Sequence, residues 1–532
     1  MPDPAAIASV RAYERARIEL IRELTPTVVC MFSKDDQSGG GGSGVIIDTE
    51  GYGLTNFHVV AGMLQQREGK GGLFDHKLYD FDVLGIDPGG DVAMFKLNRK
   101  EPFVAAPLGD SDALAVGDYA LAAGNPFLLA EDYTPTITLG IISGLHRYQW
   151  GSGRALRYTD CIQVDTSINP GNSGGPLFDM AGRVIGINGR VSIEERGRVN
   201  VGVGYAISIN QIKRFMPALR AGLPTKHATA GFTVQDRSHG AMVNQILDDS
   251  PAYKAGLRLG DRIETFGGKT ITSANHFTSQ LGTYPGEWPV TVTLRRDDEK
   301  KTIRFRLENL PFPDVPKGPP GTPPQPDPYR QTKKTRAANR RAVKRTLDAF
   351  EAACGGAGAF KALRSITMTG QRTLASRANE PQEVRFTENR PDADAVAAGD
   401  DPAAFEQAIR WELMTAGLDP VAAKLRIVRG DDVQDRVCVV VERSGDGVAK
   451  YEASFDDENG RLLRIEFDDS KSGKQVRYEY ADFRRSGTLK LPHKRTIFLD
   501  DVQFAEDVFD GVTASSQVAA PQPAPGADDG HE

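Results

Sequence analysis

From Val28 to about Ile209 the chain is a succession of short β-branched and apolar runs, V-V-C-M-F, G-V-I-I-D, D-V-A-M-F-K-L, Y-A-L-A-A-G, T-I-T-L-G-I-I-S, R-V-I-G-I-N and Y-A-I-S-I, separated by glycine and asparagine turns. Branching at Cβ suits a pleated strand and crowds a helix, and many such runs at regular spacing leave no room for helices alternating with strands. The segment is therefore expected to form an all-β barrel or sandwich. Any chemistry placed there has to be mounted on that scaffold.

A chain of 532 residues is too long for one core, and at roughly 100–200 residues per domain it holds about three. Its 39% hydrophobic and 26% charged residues describe a soluble globular composition. With 65 Lys and Arg against 71 Asp and Glu the net charge is -6, which gives no reason to expect a nucleic-acid partner. No apolar run of about 18 residues occurs, so no membrane-spanning helix is expected. The stretch M-P-D-P-A-A-I-A-S-V-R-A-Y-E-R-A-R lacks the apolar core of a secretory signal, because Arg11, Glu14, Arg15 and Arg17 interrupt it. Cys30, Cys161, Cys354 and Cys438 have no metal-ligand spacing and are expected to be small core residues.

Residues 1–24 carry apolar positions at helical spacing (Ile7, Val10, Ile18, Leu20, Ile21), and Pro26 ends the pattern. The β-rich unit spans 25–220 and a second compact unit 226–309. Residues 310–333, dominated by P-F-P-D-V-P-K-G-P-P-G-T-P-P-Q-P-D-P, are expected to be an extended, stiff linker. A third unit, 334–511, opens on a basic helix and continues into strands, and 512–532 is expected to be disordered.

Gly171-Asn172-Ser173-Gly174-Gly175 fits the G-x-S-x-G turn of the α/β-hydrolases and equally a glycine-rich protease serine loop. A serine hydroxyl needs a histidine to take its proton and a carboxylate to hold that histidine's tautomer. In the hydrolase order both partners follow the serine, yet His227, His239, His276, His493 and His531 all lie in other expected domains or the tail. In the protease order they precede it, where T-N-F-H-V-V supplies His58 and G-G-D-V-A-M-F-K-L supplies Asp91, with Asp87 as the alternative acid. Chain order and the all-β texture both favour the protease.

The set G-V-I-I-D-T-E-G-Y-G-L-T-N-F-H-V-V, D-V-A-M-F-K-L, A-A-G-N-P-F and D-T-S-I-N-P-G-N-S-G-G-P-L-F, in this order over residues 24–216, resembles the HtrA/Deg family of trypsin-like serine endopeptidases. The resemblance implies a mainly β fold with a trypsin-like double β-barrel, and makes His58 the general base, Asp91 its orienting acid and Ser173 the nucleophile. It places the oxyanion hole at Gly171, Asn172 and Ser173, and the primary pocket at Ile168, Asn188 and Val191. No aspartate stands at the pocket base, so a small or medium aliphatic side chain is expected there; Arg190 departs from the family's apolar or small residues. Gly124-Asn125-Pro126-Phe127 resembles the family's activation-linked loop, and Asp165 is expected to be a structural hydrogen-bonding residue.

The stretch S-P-A-Y-K-A-G-L-R-L-G-D-R-I within 226–309 resembles a PDZ domain of the HtrA type, with Ala230-Gly231-Phe232 as the loop that captures a peptide C-terminal carboxylate. Phrases such as F-D-D-E-N-G-R-L-L-R-I-E-F in the third unit resemble the LolA/LolB-like lipoprotein-carrier fold, an α+β domain with a curved antiparallel sheet that can enclose acyl chains. Together these imply a serine endopeptidase of unfolded or misfolded proteins, acting in protein quality control without metal or organic cofactor. The rival is a catalytically silent scaffold or chaperone on the same fold. The family's trimers form through the region before the barrel, and it works in the periplasm or outside the cell, whereas no signal peptide is visible in this sequence.

Overall fold

The structure, a computed structural model, describes residues 4–34, 41–125, 132–150, 157–169, 171–189, 202–238, 240–312, 327–356, 363, 365–377, 380–389, 403, 406–410, 413, 424–444 and 450–515. The chain forms two compact units, Met1–Asn339 and Arg340–Glu532.

The first unit begins with helix α1 (Pro4–Leu24) and then builds two closed six-stranded barrels. Barrel one comprises β1 (Val28–Ser33), β2 (Gly41–Ile46), β3 (Tyr52–Thr55), β4 (Glu68–Gly72), β5 (Leu78–Asp87) and β6 (Val92–Leu97), with the short helix α2 (Phe57–Val60) following β3. Barrel two comprises β7 (Tyr119–Gly124), β8 (Thr136–Trp150), β9 (Arg157–Val164), β10 (Pro176–Phe178), β11 (Val184–Asn188) and β12 (Gly204–Ser208), and is closed off by helix α3 (Ile209–Arg220).

Two-residue periodicity explains how these strands serve two cores at once. In Y-A-L-A-A-G, Ala120 and Ala122 face the interior of barrel two with Ile142, Val164 and Ile185. The intervening Leu121 and Ala123 join Val45, Leu54, Met94, Ile207 and Phe215 in the layer between the barrels. In D-V-A-M-F-K-L, Ala93, Phe95 and Leu97 fill barrel one while Met94 points to the same shared layer. Burying each large apolar side chain contributes about 1.5–3 kcal/mol, so this layer fixes the barrels against each other, and the catalytic candidates stand at its rim. Helix α1 adds Leu24 to it, with Leu20 and Ile21 packed alongside. Pro26 does close the helix, through a single tight turn over Thr25–Thr27.

The remainder of this unit is built on a six-stranded sheet whose main path runs β14 (Phe232–Arg237), β15 (Gly240–Ile246), β16 (Arg262–Phe266), β18 (Pro289–Arg296), β19 (Glu299–Arg306). The short β17 (Lys269–Thr270) pairs with β16, and β13 (Ala228–Thr229) pairs with β20 (Glu308–Asn309). Helix α4 (Pro251–Lys254) precedes β16, and helix α5 (Ala274–Gly282) sets Phe277 on Phe232 and Phe266, both ring pairs 5.2 Å apart.

The central residues of the proline-rich segment, 313–326, lie outside the described residues, and its described ends make contacts of their own. Phe312 and Tyr329, near its two ends, stack at 4.3 Å. Tyr329 packs on the barrel-one core, Arg67 donates to the Pro328 carbonyl at 2.8 Å, and the Lys334 ammonium reaches Glu68 and Asp82 at 2.5 and 2.6 Å. The residues after the segment thus return to the barrel that precedes the PDZ-like sheet.

The second unit is one nine-stranded antiparallel sheet, in spatial order Gln382–Asn389, Ser365–Leu374, Val502–Ser515, Leu489–Leu499, Gln475–Ser486, Leu462–Asp468, Tyr451–Asp456, Arg436–Arg443, Leu425–Val433. Register aligns Val441, Ala453, Ile465, Tyr478 and Ile497 across five strands on one face and Glu442, Glu452, Glu466 and Arg477 on the other. The apolar face is not purely apolar: buried Arg495 bonds both Glu406 and Asp507, and the Tyr480 hydroxyl also reaches Glu406. All four cysteines are buried and free, as the composition implied, and burial pushes the Cys30 and Cys354 thiols up to about 12.

Candidate active site

The T-N-F-H turn leaves β3 and immediately enters α2, which carries His58. Facing it, Asp91 sits between β5 and β6 with φ of +56°. The Asp91 carbonyl accepts the Asn56 amide at 3.0 Å and the Phe57 N–H at 3.1 Å, and its carboxylate accepts the His58 backbone N–H at 3.0 Å. The same carboxylate meets His58 Nδ1 at 2.8 and 3.0 Å. Backbone and side chain of Asp91 therefore both fix the imidazole. A nitrogen facing a carboxylate carries the proton, which leaves the Nε2 lone pair as the free base. The acid is 1% exposed and the histidine side chain one-third exposed, so the pair is covered on one side and open on the other.

Ser173 lies in the loop between β9 and β10. Gly171 has φ of +104° and Gly174 +84°, and a Cβ on Gly174 would stand 2.2 Å from the Ser43 carbonyl. No larger residue fits such a turn. Barrel one grips this loop through Ser43, whose N–H donates to the Ser173 carbonyl at 2.9 Å and whose hydroxyl donates to the Gly171 carbonyl at 2.7 Å. Gly42 places the two halves side by side, since a Cβ there would meet Val59, next to His58, at 2.6 Å and the Ser173 carbonyl at 3.0 Å. Among the described residues the N–H groups of Gly171 and Ser173 donate to no acceptor, and Ser173 Oγ makes no hydrogen bond to His58. In unliganded sites that last bond commonly forms only with substrate.

Asp87, the alternative acid, is engaged elsewhere: it bonds His227 Nε2 at 2.9 Å and accepts the Gly90 N–H at 3.1 Å. Asp165 accepts the Ile141 N–H at 2.7 Å, the structural role expected of it.

Residues 42–187 match the family described as trypsin-like peptidase domain, and residues 229–307 the PDZ domain family. The chain is 36% identical over 313 residues to the periplasmic serine endoprotease DegP of Escherichia coli K12, covering 54% of this chain and 63% of that one. With DegP of Salmonella typhimurium the identity is 37% over 283 residues, covering 50% and 56%. The chain belongs to the HtrA/Deg family. It spans less than two thirds of the length of these relatives. The solved HtrA-type protease AlgW with tripeptide aligns at 30% identity over 56% of this chain and 98% of that one, with a TM-score of 0.45.

Three residues expected at this HtrA/Deg site stand differently. The Asn172 N–H donates to the Asn169 carbonyl at 2.9 Å and its amide to the Ser167 carbonyl at 3.2 Å, so it braces the loop and the free donors reduce to Gly171 and Ser173. Asn188 is fully buried and donates to the Pro176 and Ala123 carbonyls at 3.0 and 3.3 Å; it ties β11 to the serine loop and offers no pocket wall. Ile168 is packed into the barrel-two core. Val191 and Arg190, like Pro126 and Phe127 of the activation-linked loop, lie outside the described residues. Asn125 is described, and donates its N–H to the same Ser43 hydroxyl at 3.0 Å. Sequence reasoning missed Ser43 and Asn56; the only local signals were a serine within a glycine run and an amide two residues before the histidine.

In the PDZ-type sheet β14 is an outer strand with one partner, β15, among the described residues, and Ala230-Gly231-Phe232 leads into it. Gly231 has φ of +71°, and a Cβ would lie 2.4 Å from that of Ser250. Ala230 is buried, and the Phe232 ring lies against Phe277 of α5. The N–H groups of Ala230 and Gly231 donate to no acceptor among the described residues.

Proposed function

We propose that this chain is a serine endopeptidase that cleaves unfolded or misfolded polypeptide through an acyl-enzyme. The observation that carries the reading is the paired grip of Asp91 on His58 opposite a glycine-rich loop whose Gly171 and Ser173 N–H groups have no acceptor among the described residues. His58 Nε2 takes the Ser173 hydroxyl proton as Oγ bonds to the scissile carbonyl carbon. The two N–H groups then meet the oxyanion, at about 3 kcal/mol per donor. The imidazolium returns the proton to the leaving amine, the C–N bond breaks, and water repeats the sequence on the ester. Asp91 keeps Nδ1 protonated throughout. The PDZ unit takes peptide C-termini by strand addition beside β14, with the carboxylate at the Ala230 and Gly231 N–H groups. The periplasmic DegP relatives support an exported protein as the working form.

A serine-directed organophosphonate is expected to label Ser173 and no other serine, while EDTA leaves casein degradation unchanged. Peptide mapping of the labelled chain reads the first, and activity lost to chelator and restored by a metal would defeat the second.

Gly231→Val is expected to weaken binding of peptides with a free C-terminus at least tenfold, roughly the 1–3 kcal/mol that buried donors contribute. Hydrolysis of a short chromogenic peptide should be spared. Calorimetric titration showing unchanged affinity would remove the carboxylate-binding role from this loop.

A further inference from the structure

We propose that His227 is a positioning residue for the catalytic acid, reaching the triad from the segment that leads into the PDZ sheet; the proposal rests on the endopeptidase reading above. The turn Asp87-Pro88-Gly89-Gly90-Asp91 has to deliver Asp91 in a left-handed conformation that a non-glycine residue adopts at a cost. Something must hold that turn closed. Asp87, at its first position, accepts the Gly90 N–H, but this single bond leaves the buried carboxylate with a charge to be met.

His227 meets it. Its Nε2 lies 2.9 and 3.1 Å from the two Asp87 oxygens, and its Nδ1 lies 2.8 Å from the Gly282 carbonyl at the end of α5. With a carbonyl at Nδ1 and a carboxylate at Nε2, the ring is held at both nitrogens and bridges Asp87 to the end of α5. The contact is also close-fitting. A Cβ on Gly89 would stand 2.6 Å from the His227 ring, and one on Gly90 would stand 2.4 Å from Asp87 Oδ2 and 3.1 Å from His227 Nε2. The two glycines bring the turn flush against the imidazole, which is backed on its other side by Phe215 at 4.7 Å.

The segment that carries His227 is itself laid along the strand that feeds the turn. Ile86 donates to the Leu223 carbonyl at 3.2 Å, and Thr225 donates back to the Ile86 carbonyl at 2.9 Å. A displacement of α5 or of residues 223–227 is therefore passed to Asp87, four residues from Asp91, through direct hydrogen bonds and ring contacts. His227 touches no reacting atom; it acts by keeping Asp91 aimed at His58.

The test uses the full chain, with active sites counted by organophosphonate titration and a short chromogenic peptide as substrate. Wild type and Ser173→Ala are assayed first: cleavage surviving in Ser173→Ala defeats the endopeptidase reading itself, whatever His227 does. With that control in place, His227→Gln is expected to lower kcat per titrated site roughly ten- to a hundredfold, the scale of a small misplacement remote from the chemistry. KM should be unchanged. Asp87→Asn should show the same split, and the double variant should be no worse than the poorer single one. If His227→Gln yields no titratable sites, Asp87→Asn, which keeps an acceptor for Gly90, decides alone. Wild-type kcat per site in the deciding variant, or a loss carried by KM alone, would overturn the assignment and leave the pair a fold-stabilising contact.

Discussion

Ser173→Ala and His58→Ala are each expected to lower kcat for peptide hydrolysis by about a millionfold, and the double variant to be scarcely worse than either. The reason is that one proton is handed between the two groups: once the acceptor or the nucleophile is gone, the survivor has no step to perform. What remains is catalysis by the Gly171 and Ser173 N–H groups and by substrate binding alone. Single-turnover kinetics on a chromogenic peptide, with each variant checked for wild-type melting, measures it. Additive losses would mean that the two residues act independently, and the acyl-enzyme mechanism would fall.

Asp91→Asn should cost about ten-thousandfold in kcat, the scale of losing the correct tautomer. Asp91 makes two kinds of bond to His58, from the backbone N–H and from Nδ1. An asparagine oxygen can serve one of them while its NH2 faces the other. If it keeps the backbone bond, the amide donor meets Nδ1 and drives the proton to Nε2, where the base should be empty. Asp87→Asn retains His58 and Asp91 in contact and should lose two or more orders of magnitude less by roughly the same reckoning. Kinetics of the two variants side by side distinguish the acid that orients the base from the one that braces its turn; equal losses would reject the distinction.

The barrels were legible because strand periodicity is local: which of Leu121, Ala122 and Ala123 faces which core follows from alternation once the run is recognised. The residues proposed as the triad were legible because each sits in a motif whose neighbours are constrained by the turn that presents it, as Gly174 is by the Ser43 carbonyl. What could not be read were partnerships set by tertiary distance. Ser43 and Gly171 lie 128 positions apart, and His227 and Asp87 140 apart. No local pattern announces such bonds, so His227 was only one of five histidines after the serine. Asn188 and Ile168 show a related blindness: a position near the serine loop in sequence gives no information on which side of β11 or of the barrel wall a side chain turns. The proline-rich stretch was read from composition, which reports stiffness but not where the flanking residues find contacts.

The stacking of Phe312 on Tyr329 has a mechanical consequence. A module fastened at one end sweeps wherever its leash allows. Here the leading segment is sewn to Ile86 and the trailing one to Arg67, Glu68 and Asp82, all on the same barrel. A third seam lies on the other barrel, where the Ser279 hydroxyl accepts the Asp160 N–H at 3.2 Å and Lys269 pairs with Asp112 at 2.6 Å, so the PDZ sheet is held on several sides and a pull on it is felt by both barrels. One of those moorings, at Ile86, lies five residues before Asp91, the acid proposed to orient His58.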